Sequence, residues 1–316
     1  MLSFILRRLA FGVFVIFVVI FIVFALIDLA PGDPAISSLG TFATPEQRAA
    51  YAIEHGLNDP LPIRYVRFLV AIAHGDLGTS LVRQVPVRDL ILRSLPITAQ
   101  LALLAAGIAL LLGGALGVIA AARRDRASDR IIEAATVFGI AAPDFWVGLM
   151  AISIFAVQLG WFPSGGFVDI SAGFLPWLHA LAMPALVLAL PIASALARVV
   201  RASLNEELSK DYIRTARGIG LHPAVVIGNN GLRNALVSPI TAFGLRLGYI
   251  LGGAIIVEAL FNIPGIGGLL LTAVNQGDIA VVQGVAVVNA IIFVVVNLLV
   301  DLTYLLVSPK LRTAQS

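Results

Sequence analysis

Six stretches of this chain, at about 9–29, 97–122, 134–158, 177–197, 235–259 and 282–307, are apolar for long enough to cross roughly 30 Å of hydrocarbon as helices. A bilayer offers no partner to a bare N–H or C=O, so segments of this kind must close their hydrogen bonds within themselves. That restricts the chain to an all-α integral membrane protein. Composition agrees: 59% of its 316 residues are hydrophobic and 12% are charged. The first stretch follows Arg7 and Arg8, but its apolar run is too long for a signal peptide, and Leu29-Ala30-Pro31 makes a poor cleavage site. It is expected to stay as an anchor.

Lysine and arginine are ordered along the chain. Arg7 and Arg8 precede the first span, and Arg123, Arg124, Arg126 and Arg130 lie between the second and third. Arg198, Arg201, Lys210, Arg214, Arg217 and Arg233 fall in a polar island at 198–234, and Lys310 and Arg312 in the tail. The connections 159–176 and 260–281 carry none. By the positive-inside rule both termini and the island face the cytoplasm. The chain then divides into an N-terminus with first span at 1–29, an extracytoplasmic segment at 30–96, a five-span core at 97–307 that contains the island, and a tail at 308–316. Within 30–96, Thr44-Pro45-Glu46-Gln47 has the chemistry of a capped helix start. Ile63, Val66, Val70 and Ala73 recur at helical spacing and predict a second helix over 61–74. This segment is either a packed cap or a docking surface for a substrate-delivering protein.

Several chemistries are excluded or weakened. The chain has no cysteine, so thiolate metal sites and cysteine nucleophiles are impossible. The four histidines are scattered without the i, i+4 spacing of a helical metal site, and neither Lys210 nor Lys310 follows a phosphate-binding glycine loop. No intramembrane constellation suggests an embedded enzyme. Charges inside spans are costly and therefore candidates for function. Asp144 lies mid-way along the third span and Arg246 along the fifth, roughly 15 and 18 Å from their inner ends if the helices are straight. They are expected either to bridge one another or to line a pathway. Glu258, near the outer end of the fifth span, is a candidate for an outer mouth, and Asp301 for capping or ion pairing near the end of the sixth. Gly244, Gly248 and Gly252 form a small-residue ladder, repeated by Gly113 and Gly117, that serves helix packing or a moving seam.

An ordered set of motifs adds a family. Leu29-Ala-Pro-Gly-Asp-Pro34, Thr44-Pro-Glu-Gln47, Gly75-Asp-Leu-Gly78, Gly160-Trp-Phe-Pro163, Val257-Glu-Ala-Leu-Phe261, Pro264-Gly-Ile-Gly267, Val281-Val-Gln-Gly284 and Asn297-Leu-Leu-Val-Asp-Leu-Thr-Tyr304 run through essentially the whole chain. Together they resemble the inner-membrane permease subunits of binding-protein-dependent ABC importers of the dipeptide, oligopeptide and nickel class. The resemblance implies a multi-pass protein of the bacterial inner membrane, with a cytoplasmic coupling helix between spans four and five. In such importers that helix seats in an ATP-binding subunit. Here the matching positions are Asp211, Tyr212, Arg214, Thr215, Ala216, Arg217, Gly220 and Leu221, where small Ala216 and Gly220 would permit close approach and Arg214 and Arg217 could make charge-assisted bonds.

The resemblance also implies a second, similar permease, two cytoplasmic ATPases that hold ATP and Mg, an external binding protein, and no cofactor or nucleic acid on this chain. The cargo is expected to be a di- or oligopeptide, with nickel, glutathione or another small solute as alternatives. A secondary transporter driven by ions is the rival class; it calls for inverted repeats and several midplane carboxylates. One departure from the family pattern stands out. Gly228-Asn-Asn-Gly231 follows the island's glycine, and two glycines around two asparagines predict a flexible turn there.

Overall fold

The computed structural model describes residues 2–29, 43–54, 56 and 58–307. It is built of helices: among the described residues the sole β pairing is an isolated bridge between Thr79 and Pro86. The Leu29–Pro34 motif, apart from Leu29, and the basic tail residues lie outside the described residues, as does the side chain of Asp301. The chain forms two compact units, Met1–Thr98 with Pro264–Val295, and Ala99–Ile263 with Val296–Ser316.

In the first unit α1 spans Leu2–Leu29, α2 Pro45–Glu54 and α3 Leu61–Ala73. The capping box is present: Thr44 N–H donates to Gln47 Oε1 at 2.9 Å, and Gln47 N–H to Thr44 Oγ1 at 3.3 Å. α3 packs on the C-terminal half of α1, where Tyr65 Oη donates to the Phe17 carbonyl at 2.9 Å and its ring meets Phe21 and Phe24 edge-on. Ile63, Val66 and Val70, whose spacing predicted this helix, are exposed; the aromatic face makes the contact instead.

The start of α4 (Val87–Ala122) packs Val87, Leu90 and Ile91 against Ile266, Leu269, Ala273, Val281 and Val285 of the C-terminal helices. Buried Asp278 organises this region by accepting from Ser80 Oγ, from the Leu81 N–H at 3.2 Å and from the Val281 N–H at 3.4 Å. A buried carboxylate is tolerable only when satisfied in this way.

The second unit holds the rest of α4, then α5 (Ala127–Ala141), α6 (Asp144–Ala151, continued by a π-helical turn to Gln158), α7 (Phe174–Leu208), α8 (Asp211–Gly218) and α9 (Val237–Leu260). α10 (Ile266–Gln276) belongs to the first unit, and α11 (Ile279–Val307) runs through both.

α7 is the axis of the second unit. Its most apolar window is 83% buried, against 22% for α4, because its many alanines let neighbours approach closely. Gly113 and Gly117 of α4 face it so tightly that a β-carbon at either would come within 2.7 Å of the Ala193 or Ala197 carbonyl oxygen. Gly139 of α5 faces Ser194 in the same manner. That glycine pair is therefore a packing seam.

Four helices are long and apolar enough to span a membrane, and two bent pairs bring the number to six if each is one span. One bent pair corrects a sequence expectation. The stretch at 134–158 is not a straight helix: α5 and α6 meet at 108° across Ala142-Pro143. Proline disfavours helical backbone at its predecessor, and Ala142 has ψ of 129°. Asp144 is thus the first residue of a new helix, and a depth counted along one straight span does not apply to it. The exposed residues over most of the helical surface are large and apolar, among them Leu103, Leu111, Val157, Leu175 and Leu245, the pattern of a chain that meets lipid.

Candidate functional site

The polar island folds back on the end of α7. α8 is amphipathic across its short length: Ile213 and Ala216 are buried against Val226, beside Leu208, while Arg214, Thr215 and Arg217 face outward. Ala216 therefore gives close approach within this chain rather than toward a partner. Asp211 and Arg214 make a surface pair at 3.3 Å with both side chains largely exposed, a contact of small energy.

The helix ends in a Schellman turn. Gly220 N–H donates to the Arg217 carbonyl at 3.0 Å and Leu221 N–H to the Ala216 carbonyl at 3.2 Å. Gly220 has φ of +81°, and no atom lies within 4 Å of where its β-carbon would be. Its requirement is conformational rather than steric: an L side chain resists the left-handed region. The turn presents Ile219, 72% exposed, and Leu221, 39% exposed, beside Arg217.

Tyr212 has a different role from its neighbours. Its hydroxyl donates to Glu207 Oε1, and the Asn234 side-chain amide donates both to Tyr212 Oη at 3.1 Å and to the Asn230 carbonyl at 3.0 Å. Lys210 Nζ reaches the other Glu207 oxygen at 2.6 Å. Burial, then the Glu207 bond, push the Tyr212 phenol up, which keeps its proton in place as a donor; the Glu207 bond likewise raises Lys210. One tyrosine thus ties the end of α7 to α8 and to the chain after it. Sequence reasoning placed Tyr212 in the docking set but missed Glu207 and Asn234, which lie on either side of it in the chain.

The predicted flexible turn at Gly228-Asn-Asn-Gly231 is absent. Residues 223–235 are helical throughout, with a π-helical turn over Val226–Leu232. The wide turn absorbs one extra residue, and Gly231 packs closely on α7, since a β-carbon there would come within 3.0–3.1 Å of the δ-methyls of Leu208 and Leu204. Tertiary contact with α7 overrides the weak helix propensity of glycine and asparagine.

A second fastening holds the island's base. Arg201 of α7 donates from Nε to Asp129 Oδ1 at 2.6 Å and from Nη2 to Asp129 Oδ2 at 2.9 Å. The Asp129 side chain is 2% exposed and also accepts from the Asp125 N–H at 3.0 Å. This bidentate pair clamps α5 to α7.

The intramembrane candidates are arranged differently from the expected bridge. Asp144 Oδ2 accepts from Tyr249 Oη of α9 at 3.1 Å, and among the described residues no ion pair joins Asp144 to Arg246. Arg246 is exposed on α9 near Tyr249. The carboxylate found a hydroxyl partner one turn further along α9. Glu258 is wholly buried. Of the α9 ladder, Gly244 packs against Val300, Gly248 is half-buried, and Gly252 faces open space; Gly253, one residue off the ladder, contacts Leu188 of α7.

Comparison with known proteins agrees with this layout. Residues 113–313 match the family model for binding-protein-dependent transport system inner membrane components, and residues 1–102 the companion N-terminal model. The chain is 38% identical over 312 residues to a putative peptide transport system permease protein of Brucella abortus, covering 99% of both chains. It is 36% identical to the oligopeptide transport system permease protein AppB of Bacillus subtilis, covering 99% of this chain and all of that one. It is 37% identical to the glutathione transport system permease protein GsiC of Pectobacterium atrosepticum, covering 99% of both. Among solved structures, an inward-facing MetNI methionine ABC transporter matches with a TM-score of 0.58 at 19% identity, over 70% of this chain and 97% of that one, a likeness of fold. By the family models and by these full-length relatives, the chain belongs to the family of binding-protein-dependent transport system inner membrane components.

Proposed function

We propose that this chain is one of two permease subunits of an ATP-driven importer that carries di- or oligopeptides inward by alternating access. Both termini and the island face the cytoplasm in this reading, two soluble ATPases hold ATP and Mg, and an external protein delivers cargo. The observation that carries the reading is the outward face of α8 and its Schellman turn. Arg214, Arg217, Ile219 and Leu221 stand exposed on a helix whose other face is fastened to α7. Exposed aliphatic residues ringed by arginine suit a protein groove better than water. The fastening supports the coupling: movement of a docked ATPase would reach α7 through Tyr212, Glu207 and Asn234, and α5 through Arg201 and Asp129. Names of the relatives support peptide as cargo, with glutathione the second reading because one relative bears that name.

An exposed arginine and tyrosine on α9 suit a wet path or a subunit seam, since lipid contact there is expensive. We assign Arg246, Tyr249 and Asp144 to that path.

The test is uptake of a labelled dipeptide into proteoliposomes that hold the whole importer. Uptake is expected to need ATP on the island side and to stop when the ATPases are omitted. Uptake that survives their omission and follows a proton or sodium gradient would instead place the chain with secondary transporters.

A further inference from the structure

Where α4, α5 and α7 converge there is a crevice of about 150 Å³, lined by Ala120, Ile132, Glu133, Thr136, Ala197, Arg198, Arg201 and Ala202. Its position is set by three independent boundaries. The apolar stretches end or begin at about residues 122, 134 and 197, so Ala120, Glu133 and Arg198 all sit within about two residues of the line between hydrocarbon and polar chain. That line is the depth of lipid phosphates.

The hydrogen-bond donors of the lining are not all used. Arg201 spends Nε and one Nη2 hydrogen on buried Asp129, and Glu133 reaches Arg201 at 3.5 Å. Arg198 is exposed, and among the described residues it has neither an ion-pair nor a hydrogen-bond partner. Arg198 and Arg201 together balance Asp129 and Glu133 in charge, yet the guanidinium of Arg198 and the free Nη1 hydrogens of Arg201 remain as donors, and the positive excess comes from the adjoining connection. Arg123, Arg124, Arg126 and Arg130 stand on the adjoining connection, with Asp125 as the acidic residue beside Arg124. Below the crevice the outward surfaces of α4 and α5 are apolar, with Leu112, Ile119, Ile131 and Phe138 exposed.

We propose that this crevice is a binding site for the phosphate diester of an anionic phospholipid. Arg198 and Arg201 hold the headgroup, and the apolar surfaces of α4 and α5 hold its acyl chains. Arginine clusters at the edge of a membrane span suit this chemistry, since a planar guanidinium meets two phosphate oxygens at once. A lipid seated there would bridge the same helices that Arg201 and Asp129 clamp.

The test uses the full-length chain in nanodiscs of phosphatidylcholine, with and without phosphatidylglycerol, and reads retained lipid by native mass spectrometry. Wild type is expected to retain phosphatidylglycerol over phosphatidylcholine. Arg198→Gln should lower that preference at least about three-fold, roughly 0.65 kcal/mol or more. Glu133→Gln, which removes the opposing charge, should raise it, and Arg233→Gln, away from the crevice, should leave it unchanged. Equal retention by wild type and Arg198→Gln, no preference in wild type, or a fall on Glu133→Gln would each overturn the assignment. A further arm adds inorganic phosphate to phosphatidylcholine nanodiscs. No shift in the unfolding midpoint is expected; a shift as large as that from phosphatidylglycerol, and lost in Arg198→Gln, would mean a free-anion site and refute the lipid.

Discussion

Replacement of Ile219 by aspartate is expected to strip the ATPase subunits from the purified importer, with at least a ten-fold loss of retained ATPase, about 1.4 kcal/mol or more. Ile219 is 72% exposed on the turn after α8, so most of its side chain is unpacked among the described residues. A large exposed aliphatic side chain offers apolar surface to bury in the core of an interface. Aspartate there removes the apolar contact and would carry an unpaired charge into it. The permease should stay folded, since Ile213, Ala216 and Val226, which hold α8 down, are untouched. Gly220→Ala is expected to act by another route. No neighbour obstructs a methyl group, but alanine at φ of +81° costs about 1–2 kcal/mol of backbone strain, and the turn that presents Ile219 and Leu221 relaxes. Pull-down of the ATPase at matched permease levels checks both, and an Ile219→Asp importer that kept its full complement of ATPase would remove this surface from the interface.

The second large effect is expected at Arg201. Its removal as Arg201→Met leaves the Asp129 carboxylate buried with the Asp125 N–H as its remaining bond. Breaking a buried pair from one side costs about 3 kcal/mol, the low end of the usual range because Arg201 keeps 29% exposure and water reaches that side of the pair. Asp129→Leu combined with Arg201→Met should recover most of that loss, since no charge is then stranded. Thermal unfolding in detergent reads the cycle. If the double variant lost the sum of the two single losses, the two residues would not be coupled and the clamp between α5 and α7 would have to be abandoned. A single Arg201→Met variant that unfolded at the wild-type midpoint would carry the same meaning.

Much of the architecture was legible because the membrane imposes simple constraints. Long apolar runs mark the helices, and Thr44 and Gln47 mark a helix start. The island was legible as the exceptional segment, whereas Gly220, read as a small residue for close approach, is required for its left-handed backbone instead.

What escaped the sequence was tertiary. Pro143 carried the signal for the 108° break between α5 and α6, since it disfavours helical backbone at Ala142, yet an uninterrupted apolar run concealed it. That break moved Asp144 away from a straight-span depth and toward Tyr249. Gly228-Asn-Asn-Gly231 reads locally as a turn, but contact of Gly231 with Leu204 and Leu208 keeps it helical. Asp129 and Arg201 are 72 residues apart, and nothing in their spacing announces a partner. Nothing in the sequence around Tyr212 announced its bonds to Glu207 and Asn234, which make it a strut within the chain.

The outward face of α8 and its turn as the ATPase-docking surface is the central claim, and the absence of cysteine from this chain makes it directly measurable. Single cysteines at Ile219 and at Ile213 sample opposite environments: the first side chain is 72% exposed and the second fully buried. With a short thiol-to-amine cross-linker on the assembled importer, Ile219→Cys is expected to give a covalent adduct with an ATPase subunit, and Ile213→Cys none. An adduct at Ile213→Cys without one at Ile219→Cys, or none at either position in an importer that still hydrolyses ATP in response to cargo, would contradict the account.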